Sequence, residues 1–345
     1  CAMSRSSRPT VLLTGASGVV GSALRPRLAE RCHVVSLNHS APVGGECYAA
    51  DALRPRYGLP AGLYDALAER VDFVVNAAAV TSFAADAPYQ VNVAGAEQAC
   101  AFASAAGARL LHLSTAFVAR DDAPPPDLLA DAASTPRFYL ESKQAGERVV
   151  RTSGVPHAIA RLAIVIGDSA SGEIARPQGL HQVLEAVLDN QLPMVPFGEC
   201  SSVDFIPQDV AVAALLKLVA AGVPEGEYWL AAGPAALTTE RMSELCEAVG
   251  AEFGRTVAKP RVVSHDMVMR LIKPVFIDPL PPRLRRRFDG LLALSTLFAE
   301  AGEFPSSLPA LLGAAAPTRA SQEAALAATL RRMMRARQYG ASVAA

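Results

Sequence analysis

The sequence predicts an α/β protein: a doubly wound parallel sheet with a smaller, mainly helical C-terminal lobe. Three observations carry this. Short apolar runs alternate with stretches long enough for helices through residues 11–161, as expected of strands covered on both faces. A glycine-rich turn joins the first run to the first helix. After residue 237 the strand pattern fades and helical segments dominate.

Val11, Leu12 and Leu13 form the first strand, which ends in the glycine loop 14–21. A helix is expected over residues 20–31, with Leu24 and Leu28 on one face. Residues 33–37 read as the second strand. Residues 71–75 read as another, ending at Asn76, Ala77 and Ala78. An alanine-rich helix follows over 91–106, and a strand over 109–113 ends at Ser114 and Thr115. Residues 139–152 form the next helix, and 157–161 start one more strand. The Pro- and Asp-rich residues 121–137 are expected to form a surface loop. Later helices are expected over 239–249, 266–272, 282–299 and 321–337, with Ser264 and Ser321 as N-caps. The expected division is an α/β domain over 1–236, which lends residues 167–200 to the substrate lobe, and a helical lobe over 237–345.

The bulk numbers exclude several classes. The chain has 345 residues, 51% of them hydrophobic, and a net charge of −1. It can bury a large core, and nothing in its overall charge suits nucleic acid or an anionic membrane. The six cysteines are scattered without metal-ligand spacing, so they read as free thiols of a reducing, cytoplasmic compartment, with no metal site. No apolar run reaches the roughly 20 residues that span a bilayer, so no stable membrane anchor is expected. The N-terminal stretch lacks the apolar segment of a signal peptide.

Gly15, Gly18 and Gly21 follow a strand and open a helix, in the spacing Gly-x-x-Gly-x-x-Gly. Without Cβ atoms the loop Gly15-Ala16-Ser17-Gly18-Val19-Val20-Gly21 can approach a pyrophosphate, and the helix N-terminus faces it with N–H groups and a favourable dipole. At the end of the second strand a carboxylate would bind the ribose hydroxyls of NAD. Leu37, Asn38, His39 and Ser40 stand there instead, while Arg25 and Arg27 lie on the helix after the loop. NADP is therefore favoured over NAD.

Tyr139 and Lys143 are four apart and share a helix face. A free Tyr titrates near ~10, too high for efficient proton transfer at neutral pH. A neighbouring ammonium is expected to lower it.

The glycine loop with Tyr139 and Lys143 further along resembles the short-chain dehydrogenase/reductase superfamily. The resemblance implies a Rossmann-type NAD(P)-binding domain. It places Asp51 and Ala52 at the adenine ring, and Asn76, Ala77 and Ala78 beside the nicotinamide ribose. Lys143 would also bond that ribose. Thr115 would orient the substrate oxygen, with Ser114 as the alternative, and Asn92 would support the helix of Tyr139. Retention of both Tyr and Lys argues for an enzyme rather than a scaffold.

Further stretches resemble the thioester reductase domains and fatty acyl-CoA reductases: residues 51–59 (DALRPRYGL), 114–118 (STAFV), 161–173 (RLAIVIGDSASGE) and 203–210 (VDFIPQDV). This implies NADPH-dependent reduction of an acyl thioester, carried on coenzyme A or on a carrier protein acting in trans, either to an aldehyde or onward to an alcohol. The glycine loop itself is closer to sugar epimerases. The alternative is thus an extended short-chain dehydrogenase or epimerase acting on a free carbonyl, alcohol or nucleotide sugar. Arg283, Arg285, Arg286 and Arg287 form one basic cluster and Arg331, Arg332, Arg335 and Arg337 another. They are either solvated helix faces or a docking surface for an acidic carrier protein or CoA phosphates.

Overall fold

Consecutive buried residues build the central sheet of the computed structural model, which describes residues 8–39, 42–81, 87–119, 136–195, 201–299 and 303–343. The strands are β1 (Thr10–Thr14), β2 (His33–Asn38), β3 (Glu46–Ala49), β4 (Phe73–Asn76), β5 (Arg109–Thr115), β6 (His157–Leu162), β7 (Ile164–Ile166), β8 (Met194–Val195), β9 (Ser202–Val203), β10 (Phe205–Pro207), β11 (Gly226–Leu230), β12 (Leu237–Thr238) and β13 (Arg261–Val262). The helices are α1 (Val19–Ala29), α2 (Ala61–Ala68), α3 (Ala87–Ala106), α4 (Pro136–Thr152), α5 (Leu180–Leu188), α6 (Gln208–Ala220), α7 (Thr239–Glu252), α8 (His265–Met267), α9 (Pro282–Ala299), α10 (Leu308–Leu312) and α11 (Arg319–Val343). Most of the expected loop 121–137 lies outside the described residues, as do Cys1, Ser40 and Cys200.

The chain divides into two compact units. The first comprises Cys1–Val118, Phe138–Leu162 and Ala211–Tyr228. The second comprises Ala119–Arg137, Ala163–Val210 and Trp229–Ala345.

A seven-stranded sheet in the order β11-β6-β5-β4-β1-β2-β3 is the frame of the first unit. Its pairs from β3 to β6 are parallel. The strand order reverses between β1 and β4, the switch point at which such sheets bind ligands. The fold is thus the doubly wound α/β architecture expected. One face is packed by Leu12, Val35, Val74, Leu110 and Ile159 against Tyr64 and Leu67 of α2 and Phe102 of α3. The rings of Tyr64 and Phe102 meet edge to face, with centroids 5.0 Å apart.

The second unit holds three small two-stranded pairings, β7 with β10, β9 with β12 and β8 with β13. Asp204 fastens it from within: its buried carboxylate accepts the N–H groups of Ala232 (2.8 Å) and Gly233 (2.9 Å). Burial raises the Asp204 carboxyl to about 6, against those two hydrogen bonds. Gly172 has φ +70°, and a Cβ there would overlap the Ala328 carbonyl of α11. Gln322 of α11 donates to the Phe205 carbonyl.

Two expected caps resolve differently. Ser264 accepts the N–H of Met267 at 3.2 Å, as a cap should. The helix it opens is only α8, and it continues as a wider π-helical stretch over Val268–Ile277 that contains Pro274. Ser321 is not the cap of the last helix. The cap is Thr318, whose hydroxyl accepts the N–H of Ser321, while Ser321 Oγ accepts from Thr318 N. Glu323, which stood close behind the expected cap, is paired with Arg241 at 2.8 Å.

Candidate active site

Gly15 of the glycine loop packs main chain to main chain against the residues that follow β4. Gly15 has φ +70°, and a Cβ there would lie 2.6 Å from Ala78 N. A Cβ at Gly21 would overlap the Gly15 carbonyl oxygen. Gly18 is the N-cap of α1 and supplies no side-chain cap, and the first turn holds no acidic residue. Ser17 and Val19 border this turn half-buried, with Val20 one residue further into the helix. A cradle that Cβ atoms would fill, facing an uncapped helix start, fits the pyrophosphate of a dinucleotide.

A polar row that sequence reasoning missed lies beside the loop. Thr14, Asn76 and His112 are register partners on β1, β4 and β5. Thr14 Oγ1 donates to Asn76 Oδ1 (2.7 Å), and Asn76 Nδ2 meets His112 Nδ1 at 3.1 Å. Ala78 N donates to Thr14 Oγ1 at 3.2 Å, which ties the Ala77-Ala78 backbone to the row. Burial pushes the His112 imidazole down to about 3, with the Lys143 ammonium acting in the same direction, so the ring is neutral. A histidine inside an apolar run gives no sign of this in sequence. Its register opposite Asn76 does.

Asn38 is buried at the end of β2. Asp51 turns its carboxylate onto its own loop. Oδ1 accepts the N–H of Leu53 at 2.9 Å, and Arg54 lies 3.5 Å from Oδ2. The Ala52 methyl lies 4.0 Å from where a Gly95 Cβ would stand on α3.

Tyr139, Lys143 and Thr115 come together within the first unit. Thr115 ends β5, buried, and is hydrogen-bonded to the Tyr139 side chain. Lys143 is buried and donates from Nζ to the Leu113 carbonyl at 3.2 Å. The electrostatics differ from the sequence expectation. Burial raises the Tyr139 phenol to about 12, and the Thr115 hydrogen bond opposes this. Lys143 does not lower it, because its ammonium is turned to the Leu113 carbonyl. Burial depresses Lys143 itself to about 8, with the Glu147 carboxylate pulling the other way.

Helix α4 is held from two sides. Asn92 of α3 accepts the Val80 N–H (2.8 Å) and donates to the Val80 carbonyl (3.1 Å) and to Ser142 Oγ (2.9 Å). Ser142 Oγ in turn donates to the Tyr139 carbonyl at 2.7 Å. The second support is Glu147, one turn beyond Lys143 and buried. It binds Arg161 of β6 and Arg151 of its own helix. Tyr139, Lys143, Glu147 and Arg151 thus form one i, i+4 stripe. That repeat was visible in the sequence, but the Arg161 partner was not.

The two arginine clusters differ. Arg283, Arg285, Arg286 and Arg287 are exposed at the start of α9. In the other, Arg331 binds Glu252 (2.7 Å), Arg332 binds Glu173 (3.0 Å) and Arg337 binds Asp189 (3.2 Å), so much of its charge is spent inside the protein. Among the described residues no group of His, Cys, Asp and Glu is arranged to hold a metal, and no helix is long and apolar enough to cross a membrane. Cys32, Cys47, Cys100 and Cys246 are free thiols.

A doubly wound sheet with a glycine cradle at its switch point and a Thr–Tyr–Lys group at the end of β5 defines a nicotinamide-dependent oxidoreductase. The family described as male sterility protein, an NAD-binding domain, matches residues 45–215. The dTDP-4-dehydrorhamnose reductase of Shigella flexneri is 30% identical over 234 residues, 65% of this chain and 72% of that enzyme. The chain belongs to the extended short-chain dehydrogenase/reductase family.

A component of the linear gramicidin synthase of Brevibacillus parabrevis is 28% identical over 183 residues, 49% of this chain. The match spans only 4% of that much longer protein. Among solved structures, the terminal R domain from the myxalamid PKS-NRPS biosynthetic pathway superposes with a TM-score of 0.73 at 20% identity, covering 97% of this chain and 92% of that one. The UDP-glucuronic acid 4-epimerase of Bacillus cereus superposes with a TM-score of 0.63 at 16% identity, covering 94% and 99%.

Proposed function

We propose that the protein reduces an acyl thioester, carried on coenzyme A or a carrier protein, to an aldehyde and a free thiol. The observation that carries the chemistry is the Thr115–Tyr139 hydrogen bond beside a buried Lys143. The choice of substrate is supported by the likeness to the myxalamid R domain and by the stretches 51–59, 161–173 and 203–210.

The loop Gly15, Ser17, Gly18, Val19, Val20 and Gly21 would hold the cofactor's pyrophosphate. Asn38 would serve its adenosine ribose, Asp51 and Ala52 its adenine, and Asn76, Ala77, Ala78 and Lys143 its nicotinamide ribose. The Asn76 side chain is committed to Thr14 and His112, so that segment acts through its backbone. The bound nicotinamide supplies the hydride. Thr115 Oγ1 fixes the carbonyl oxygen. Tyr139 Oη gives that oxygen its proton as the carbon is reduced, and collapse of the hemithioacetal then releases the thiol. A phenol held near 12 by burial is fully protonated at neutral pH, as a donor must be, and the Thr115 hydrogen bond, which opposes that rise, favours the phenolate once the proton has left. NADPH is the proposed reductant, since no carboxylate ends β2 to repel a 2′-phosphate. The second unit forms the substrate lobe, and the exposed arginines of α9 meet an acidic carrier.

The test is NADPH loss at 340 nm together with thiol release, on acyl-CoA and acyl-pantetheine thioesters set against matched aldehydes and ketones. Coupled loss and release supports the reading, and turnover of free carbonyls alone overturns it. A nucleotide-sugar reaction is the second reading, favoured by the rhamnose reductase relative and the epimerase-style glycine loop. It predicts turnover of dTDP- or UDP-sugars instead.

A further inference from the structure

Lys143 is a buried ammonium whose hydrogen bond goes to a neutral acceptor, the Leu113 carbonyl at 3.2 Å. Among the described residues it forms no ion pair. A buried ammonium without an opposite charge nearby gives up its proton readily. The titratable groups on either side supply no such charge. His112 of β5 is neutral, and so is the Tyr139 phenol one turn back on α4.

Glu147 lies one turn further along the same helix, where residues four apart hold their Cβ atoms about 5–6 Å from each other. It is also buried. Arg161 of β6 and Arg151 of α4 each reach its Oε2 at 2.7 Å, and both also pair with the half-exposed Glu227 of β11. Burial would raise the Glu147 carboxyl, but the Arg161 hydrogen bonds and the neighbouring guanidinium charges hold it below its ordinary value. It is therefore ionised wherever Lys143 titrates. Two carboxylates and two guanidiniums leave the quartet neutral. The member on the Tyr139–Lys143 stripe is a carboxylate, and its charge opposes loss of the lysine's proton. An uncharged amide pair could fasten α4 to β6 as well. It would bring no negative charge to Lys143.

We infer that Glu147 is a positioning residue that acts through Lys143: its charge keeps the buried lysine in the ammonium form, in addition to fastening α4. Gln in its place would leave two guanidiniums and one carboxylate, a net positive charge, beside the lysine. The consequence for turnover rests on the thioester reading, in which Lys143 bonds the nicotinamide ribose. The coupling of the two charges stands apart from it.

The experiment titrates Lys143 itself. The lysines of the chain are Lys143, Lys217, Lys259 and Lys273. NMR of the full chain, isotope-labelled at lysine Cε, therefore gives few signals, and the one missing from Lys143→Arg belongs to Lys143. In the unsubstituted protein its midpoint is expected near 8. In Glu147→Gln the midpoint should fall by about one pH unit or more. In Arg161→Gln, which breaks the same pair from the other side, it should not fall. A purely mechanical anchor predicts one direction for both variants, since each would loosen α4 and admit water, raising the midpoint toward 10.5. If Glu147→Gln fails to fold, the double variant Glu147→Gln/Arg161→Gln, which keeps one charge of each sign, should show the same fall. An unchanged or raised midpoint in whichever of these two folds overturns the inference. The pH profile of kcat/KM on an acyl-pantetheine thioester is followed in parallel, and its alkaline limb should move down with the NMR midpoint. A fallen midpoint with an unmoved limb upholds the coupling and removes Lys143 from the chemistry. Absence of thioester turnover removes the reductase reading, and the NMR midpoint still decides the coupling.

Discussion

Arg161 of β6 grips Glu147 of α4 with two parallel hydrogen bonds, Nε to Oε1 at 3.0 Å and Nη2 to Oε2 at 2.7 Å. Burial alone would raise the Glu147 carboxyl. The Arg161 hydrogen bonds and the charges of Arg161 and Arg151 outweigh it and hold the carboxyl below its ordinary value. Glu227 of β11 adds a further partner, 3.0 Å from Arg161 and 2.8 Å from Arg151. The helix that carries Tyr139 is thereby bolted to the sheet two turns below the phenol.

Removing Glu147 leaves Arg161 and Arg151 with the more exposed Glu227 as their remaining partner. Glu147→Ala should therefore destabilise the protein by about 1–3 kcal/mol, the cost of losing charged hydrogen bonds without stranding a charge, read from urea unfolding. Turnover should fall further than the unfolded fraction accounts for, since α4 loses its anchor. A loss near the roughly 0–1 kcal/mol of a surface pair would show that water reaches the site.

Lys143 sets an alkaline limb. Its pKa drops from 10.5 to about 8 on burial. Between these values the unfolded chain binds more protons than the native one, so this residue's stability cost is full below about 8 and is relieved as pH rises toward 10.5. On the proposed roles activity runs the other way, because the ammonium is the form that would bond the nicotinamide ribose. The kcat/KM profile should decline with a midpoint near 8, and Lys143→Arg should move that limb upward because a guanidinium stays charged. An unmoved limb would assign it to another group.

Tyr139→Phe deletes the proposed proton donor and little else. Turnover should fall about 10²–10⁴-fold, while NADPH affinity by fluorescence titration stays within about twofold. A variant that turns over at the unsubstituted rate would falsify the donor assignment.

Gly21→Ala places a methyl group on the Gly15 carbonyl, with backbone on both sides of the clash. Cofactor binding should be lost, and the melting temperature should no longer rise on adding NADPH. Retained affinity would mean that the loop has room to shift.

Asn92→Ala leaves the Val80 N–H without its acceptor and Ser142 without its donor. The expected cost is about 1–3 kcal/mol in thermal or urea unfolding, with a lower kcat. Asn92→Asp should recover the Val80 N–H bond but not the donor functions.

What could be read from the sequence follows from how local each signal is. The strands β1, β2, β4, β5 and β6 are runs of buried residues and declared themselves. The edge strands β3 (ECYA) and β11 (GEYWL) are only partly buried, so their sequences carry no apolar run. Helices α2 and α6 belong to the same frame and were not singled out either. The tyrosine, the lysine and the glycine loop are short motifs and therefore legible. The Thr14–Asn76–His112 row and the Arg161–Glu147 pair join residues from different elements, and only the register of the folded sheet reveals them. The Tyr139 phenol shows the limit most sharply. The spacing to Lys143 implied a lowered pKa, but burial and the turn of the ammonium toward Leu113 decide the sign.

The contact between Gly172 and Ala328 has a consequence for the chain as it leaves the ribosome. The turn at Gly172 is finished only when the backbone of α11 lies against it, and Phe205 gives its carbonyl to Gln322 of the same helix. Every strand of the seven-stranded sheet has been synthesised by residue 230, so the first unit can assemble while translation continues. The second unit must wait, with its early segments exposed, until the residues of α11 emerge. Nascent-chain arrest before residue 322 should therefore leave the second unit open to protease while the first is already resistant.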